Sequence, residues 1–228
     1  MKPNGKLIID QKDLIVYDLD MTLVCTEFDF LHECILATAK ALGATAPSKK
    51  KIWDFWYGEV NREEFIRSVL GIDDPMVFWN LFRTFDTPDA RAARTIPFQH
   101  VVPTLHALRE KGKQQAVITA SVMPNAQAEI SLLRFLFELV VSVSETPHFK
   151  SKPDPKSLIY VMEELDVSPD RTVVVGDSSE DERLANNANV DFVHYRKRDP
   201  FLTFDRQILA SFDCWSEFST LQAKTTPS

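Results

Sequence analysis

The sequence predicts an α/β protein: a parallel-sheet core into which an all-helical segment is inserted after the first strand. Beyond Pro97, short apolar runs alternate with amphipathic stretches of helical length, the pattern of strands joined by helical crossovers. A further apolar run, Asp13–Tyr17, stands alone near the N-terminus. Between these, residues 26–94 read as successive helices with no strong strand. The expected division is a core of residues 1–25 plus 95–228 and an insertion of residues 26–94.

Asp13-Leu14-Ile15-Val16-Tyr17 is a short apolar run ending in acid at Asp18, as suits a strand covered on both faces. From about Thr26, Phe28, Leu31, Ile35, Ala39 and Leu42 recur at helical spacing, and Gly43 closes the segment. Trp53–Tyr57, Arg62–Leu70 and Pro75–Phe85 continue as aromatic-rich helical pieces. A helix over 99–111 then stops at Gly112, followed by a strand at Gln115–Thr119 and a helix over 125–137. Leu139–Val143, Arg171–Val175 and Asp191–Tyr195 read as strands, separated by helices over 155–166 and 180–188. Asp154-Pro155 is a clean helix start, a carboxylate at the cap and a proline whose missing N–H costs nothing there. Residues 203–222 carry no decisive pattern, and there is no internal repeat. An insertion after the first strand falls at the carboxyl edge of the sheet, where open α/β sheets bind ligands, so it is expected to act as a lid.

Composition narrows the function classes. The chain has 228 residues, 44% hydrophobic and 26% charged, enough for a substantial core and a smaller second unit. A formal charge of −7 argues against a general nucleic-acid binder, which needs a basic face to displace counterions. Lys49, Lys50 and Lys51 read as a solvated helix end. The opening residues show no secretory pattern and no apolar stretch is long enough to span a membrane. Three cysteines, Cys25, Cys34 and Cys214, without CxxC spacing point to free thiols and a cytoplasmic setting. His32, His100, His106, His148 and His194 have no spacing that suggests a metal site.

The chemistry gathers at strand ends. Asp18-Leu19-Asp20 directly follows the first strand, and two carboxylates so close repel unless a cation or a shared proton relieves them. Alone, such a pair is as readily a solvated loop. Three further signals accompany it in order: Thr119 ends the second core strand, Lys152 precedes Pro153 before a helix, and Gly176-Asp177-Ser178-Ser179-Glu180-Asp181 follows Val173-Val174-Val175. All four lie at or after the carboxyl ends of predicted strands, so a parallel sheet brings them to one edge.

This ordered set resembles the four signature motifs of the haloacid dehalogenase superfamily: Asp18, Asp20 and Thr22; Thr119; Lys152; and Asp177 with Asp181. The resemblance covers nearly the whole chain, since the insertion after the first motif is similar to that family's helical cap. Met21 departs from the pattern where many members carry glycine, and Lys150 competes with Lys152 for the motif lysine. The resemblance implies a Rossmann-like core and a phosphomonoester hydrolase that uses Mg2+. It further implies metal ligands at Asp18, at the Asp20 backbone carbonyl and at Asp177. Asp181 would hold a metal-bound water or orient Lys152. Asp18 would be the covalent nucleophile and Asp20 the general acid and base, with Thr119, the Ala120 N–H and Lys152 holding phosphoryl oxygens. The implied substrate is a small phosphorylated metabolite rather than a macromolecule.

Rival readings are weaker on the residues. Dehalogenases lack the second acid that Asp20 supplies, and mutases carry a histidine where Phe30 stands. A phosphonatase needs a cap lysine, for which Lys40 and Lys49–Lys51 are candidates. A signalling receiver domain needs no insertion, and a non-catalytic binding module would be expected to lose Asp18 or Asp20. The aromatics Trp53, Phe55, Trp56, Tyr57, Phe65, Phe78, Trp79 and Phe82 are expected to form the insertion's own core. Arg62, Arg67, Arg83, Arg91 and Arg94 are expected mainly at the surface, though each could offer a forked contact to an anion.

Overall fold

The computed structural model describes residues 7–58, 60–145, 149–197 and 208–222. The opening residues, His148 and the first part of the ambiguous tail (203–207) lie outside the described residues. The chain forms two compact units, Met1–Cys25 with Ile96–Ser228, and Thr26–Thr95.

In the first unit, six strands form an all-parallel sheet: β1 (Leu14–Tyr17), β4 (Gln114–Thr119), β5 (Leu139–Ser142), β6 (Thr172–Gly176), β7 (Asp191–Tyr195) and β8 (Ala210–Phe212), in the order β5-β4-β1-β6-β7-β8. The period-two alternation of side chains divides each strand between two apolar layers. Ile15, Tyr17, Val117, Val173 and Val175 enter one layer, while Leu14, Val16, Ala116, Ile118 and Val174 enter the other. The first layer is covered by α1 (Ile8–Gln11), α7 (Val101–Glu110), α8 (Met123–Leu132) and α11 (Trp215–Phe218), which contribute Ile8, Leu105, Ala126 and Trp215. The second is covered by α9 (Lys156–Glu164) and α10 (Ser179–Asn187) through Leu158, Val161 and Leu184. Burial on both faces is why β1, β4 and β6 are apolar nearly throughout.

Strand order reverses around β1, which lies between β4 and β6. Such a reversal leaves a crevice at the carboxyl ends of the strands. In register, Tyr17 lies beside Val117 on one side and Val175 on the other, so the residues after these strands share one edge.

The second unit holds α2 (Phe28–Ala41), α3 (Lys49–Tyr57), α4 (Arg62–Ser68), α5 (Pro75–Phe85) and α6 (Pro88–Ala93). Its core joins Phe30, Ile35, Ile52, Phe55, Phe65, Ile66, Phe78 and Phe82, so most of the aromatics serve packing as their spacing suggests. Ser48, Asn61, Asp74 and Thr87 cap four of the helices through their side chains, with Pro75 and Pro88 in the first turn of α5 and α6. Arg91 is not at the surface. It is buried, with Nε 2.9 Å from Asp86 Oδ1 and Nη2 2.8 Å from Asp86 Oδ2.

Several elements differ from the sequence reading. β2 (Val24–Thr26) and β3 (Thr95–Pro97) pair with each other as short strands, too brief for an alternation to register. The helix expected over 125–137 ends at Leu132, because Arg134 adopts φ 48° and turns the chain. Phe135 is then buried while Leu136 is 82% exposed. The ambiguous tail contains β8 and α11, which complete the sheet and one apolar layer. All three cysteines are free thiols.

Removing one partner of a buried ion pair leaves the other charge uncompensated, at a cost of about 3–5 kcal/mol. Arg91→Met is therefore expected to destabilise the helical unit by that amount in urea unfolding. The double variant Asp86→Leu/Arg91→Met should recover most of the loss. A loss under about 1 kcal/mol for the single change would show that the pair contributes little.

Candidate active site

Asp18 continues β1 by one residue, its N–H donating to Val175 O at 2.9 Å. The chain then folds tightly. Leu19 O accepts from the N–H groups of Thr22 (3.3 Å), Leu23 (2.9 Å) and Val24 (3.1 Å), and Met21 N–H donates to Val24 O at 2.7 Å. This turn directs the Thr22 hydroxyl back toward the acids, 3.2 Å from Asp18 Oδ2 and 3.3 Å from Asp177 Oδ1. Thr22 and Asp177 are fully or nearly fully buried.

Lys152 joins the other two motifs. Its Nζ donates to Asp18 Oδ1 and to Asp181 Oδ1, each at 2.7 Å. Lys150 is exposed, so Lys152 is the motif lysine that reaches the acids. Burial alone would lower the Lys152 pKa, but the charges of Asp18 and Asp181 and their hydrogen bonds outweigh it and hold the ammonium above its ordinary value. Burial pushes the Asp18 carboxyl up to about 6, with the Asp181 and Asp20 charges adding to the rise and Lys152 opposing it.

Asp181 serves two purposes at once. While Oδ1 accepts from Lys152, Oδ2 accepts from Ser178 N–H at 3.2 Å, and Ser178 Oγ accepts from Asp181 N–H at 3.2 Å. This capping box starts α10 and fixes the carboxylate. The contact with Lys152 is the arrangement expected of a residue that orients the lysine.

Thr119 and Ala120 lie at the same edge but outside this hydrogen-bonded group. Thr119 ends β4, two residues beyond the partner of Tyr17, and is buried. Its hydroxyl accepts from Ser121 N–H at 3.0 Å and makes no hydrogen bond to the acids among the described residues. Ala120 follows, exposed, and the half-buried Asp20 bridges to Val24 through its backbone.

Ligand atoms of Asp18, Asp177 and Asp181 all fall within 4.8 Å of one another. Three carboxylates facing one ammonium leave the group two charges negative. An all-oxygen, doubly negative set matches a hard divalent cation such as Mg2+ and would not suit a soft metal.

Comparison with known proteins agrees with this geometry. Residues 15–195 match the family model for haloacid dehalogenase-like hydrolases. The chain belongs to that family. It is 30% identical over 186 residues to a phosphoglycolate phosphatase of Thiobacillus denitrificans, covering 76% of this chain and 78% of that one. It is 29% identical over 96 residues to the pyrophosphatase PpaX of Halalkalibacterium halodurans, covering 41% of this chain and 44% of the relative. Among solved structures, CbbY from Rhodobacter sphaeroides, crystallised with phosphate, superposes with a TM-score of 0.73 at 20% identity, covering 90% of this chain and 96% of that one.

Two backbone features of this haloacid dehalogenase-like chain bear on the site. Met21 has φ 61°, a left-handed conformation that glycine takes freely and an L side chain takes at a cost of roughly 1–2 kcal/mol. The departure at this position therefore has a local energetic consequence. Gly176 needs its missing side chain: a Cβ there would lie 2.5 Å from the Cβ, Cγ and Oδ2 of Asp181. Gly176→Ala should displace Asp181 and separate it from Lys152, lowering stability by about 1–3 kcal/mol. Chemical denaturation checks this, and an unchanged midpoint would show that Asp181 can move aside freely.

Proposed function

We propose that this protein is a Mg2+-dependent phosphomonoesterase that acts through an aspartyl-phosphate on Asp18. The observation that carries the reading is the Asp18 carboxylate, placed at the carboxyl edge of the sheet by β1 and bonded to Lys152 within a group of three acids. The names of the relatives, phosphoglycolate phosphatase and pyrophosphatase, support phosphate-ester or phosphoanhydride hydrolysis. They agree with a small phosphorylated substrate.

In this proposal Asp18, Asp177 and the Asp20 backbone carbonyl hold Mg2+. When bound, the ion offsets the repulsion between a phosphate dianion and a carboxylate nucleophile. Asp18 attacks phosphorus in line, forming one P–O bond as the bond to the leaving oxygen breaks. Asp20 gives its proton to the departing alkoxide. It then takes a proton from the water that cleaves the acyl phosphate and releases phosphate. Lys152 neutralises charge on the transferring group, and Thr119 and the Ala120 N–H orient its oxygens.

The helical unit is part of the same proposal, as the cap that the resemblance implies. The chain enters it directly after the Asp18–Leu23 turn. Among the described residues no helix is long and apolar enough to cross a membrane. Free thiols accord with a reducing, cytoplasmic setting.

A panel of phosphorylated metabolites assayed with Mg2+, with phosphoglycolate and pyrophosphate included, tests the reading. Turnover should vanish on chelation and return with added Mg2+. Asp18→Asn should lower kcat by at least about four orders of magnitude while the protein still folds. Wild-type turnover by that variant would rule out the covalent mechanism, and a rate indifferent to chelator would rule out the metal.

A further inference from the structure

Thr22, whose hydroxyl bridges Asp18 and Asp177, is itself held from an unexpected direction. Its backbone carbonyl accepts a hydrogen bond from the indole Nε1–H of Trp215 at 3.1 Å, across 193 residues of sequence. Trp215 is fully buried. Its ring centroid lies 5.8 Å from Tyr17, the residue just before Asp18, and 5.6, 5.0 and 5.4 Å from Tyr195, Phe212 and Phe218. The Trp215 carbonyl in turn accepts from Thr104 Oγ1 of α7 at 3.0 Å. Trp215 is thus held at its backbone by one hydrogen bond, around its ring by four aromatic neighbours, and at its indole tip by the turn that carries the acids.

We infer that Trp215 is a positioning residue for the catalytic turn: its indole N–H fixes the Thr22 carbonyl and thereby the side chain that ties Asp18 to Asp177. The inference rests on the phosphatase reading for its kinetic consequence, but not for its structural one. Two physical points favour it over a purely packing role. The buried indole N–H needs an acceptor, and the one it takes is the carbonyl of the residue whose hydroxyl bridges Asp18 and Asp177. A buried carbonyl that loses its donor also bears the desolvation cost of that group, and that cost falls on the turn. The bond therefore ties the turn that carries Asp18 to α11, which packs in the layer beneath β1.

The test compares Trp215→Phe, which removes the N–H, with Phe218→Leu, a lesion in the same aromatic cluster that touches no polar group of the turn. Hydrogen exchange at the Met21, Leu23 and Val24 amides reads the turn directly, since each donates within it. In Trp215→Phe these amides should exchange roughly tenfold faster relative to the amides of β4, and in Phe218→Leu they should keep the wild-type ratio. With phosphatase substrate and saturating Mg2+, Trp215→Phe should lower kcat roughly tenfold with KM within about threefold, while Phe218→Leu keeps kcat within about twofold. If Trp215→Phe does not fold, Thr104→Val, which removes the hydrogen bond to the Trp215 backbone carbonyl, should show the same pattern at smaller size.

An unchanged exchange ratio, an equal acceleration in Phe218→Leu, or a wild-type kcat in Trp215→Phe would each overturn the inference. A wild-type protein inert toward every phosphate ester would instead overturn the phosphatase reading, and the exchange comparison would then decide the inference alone.

Discussion

One buried ammonium makes the rest of the site tenable. Lys152 lies between Asp18 and Asp181, and without it three carboxylates would crowd a space from which water is largely excluded. A buried charge must be paired and hydrogen-bonded to persist, and a pair repays its desolvation only when the geometry is good and the remaining polar atoms are satisfied. The structure meets that condition at Asp181, where the second oxygen is taken up by the capping box of α10. It meets it less fully at Asp18, whose pKa stays raised to about 6 because burial outweighs the lysine. The group is therefore bound together with more carboxylates than cationic partners among its members.

How much of this was legible in the sequence depended on the range of the interaction that fixes each part. β1, β4, β6 and β7 are buried on both faces, and such strands appear directly as apolar runs. The strand-end residues Asp18, Thr119 and Asp177 then follow from the parallel arrangement without knowledge of any contact. Lys152 could be singled out from Lys150 only by its neighbour Pro153, and the contact with Asp18 settles the choice by distance. What could not be read was set by tertiary contact or by a single backbone angle. The helix expected to 137 stops where Arg134 turns left-handed, a conformation with no glycine to announce it. Arg91 carries no mark in the sequence that distinguishes it from Arg62 or Arg83, yet it is buried in α6 with its guanidinium held by Asp86, the residue that caps the end of α5.

The C-terminal segment shows the same limit most clearly. β8 is three residues long and α11 is four, each below the length at which periodicity means anything. Their identity comes from what they cover: Ala210 and Phe212 extend the sheet beyond β7, and Trp215 and Phe218 fill the layer beneath β1 and β6. A segment that looks indeterminate alone is well determined once the sheet exists to receive it.

Fold and chemistry also constrain each other at the atomic level. Asp181 starts α10 and holds Lys152 with the same carboxylate, so the helix cannot shift without moving the ammonium. Gly176 lets β6 approach that carboxylate so closely that no side chain fits between them. The turn after β1 accepts a left-handed Met21, and Leu19 O gathers three N–H groups, to return Thr22 to the acids. Each device lies at the end of a strand whose position is fixed by a continuous apolar layer, and each uses backbone groups that the strand end would otherwise leave without partners. Precision at the site is thus inherited from the sheet. The core sets where the strands end, the unpaired backbone at those ends organises the turns, and the turns bring four acidic or basic side chains from separate parts of the chain to one point.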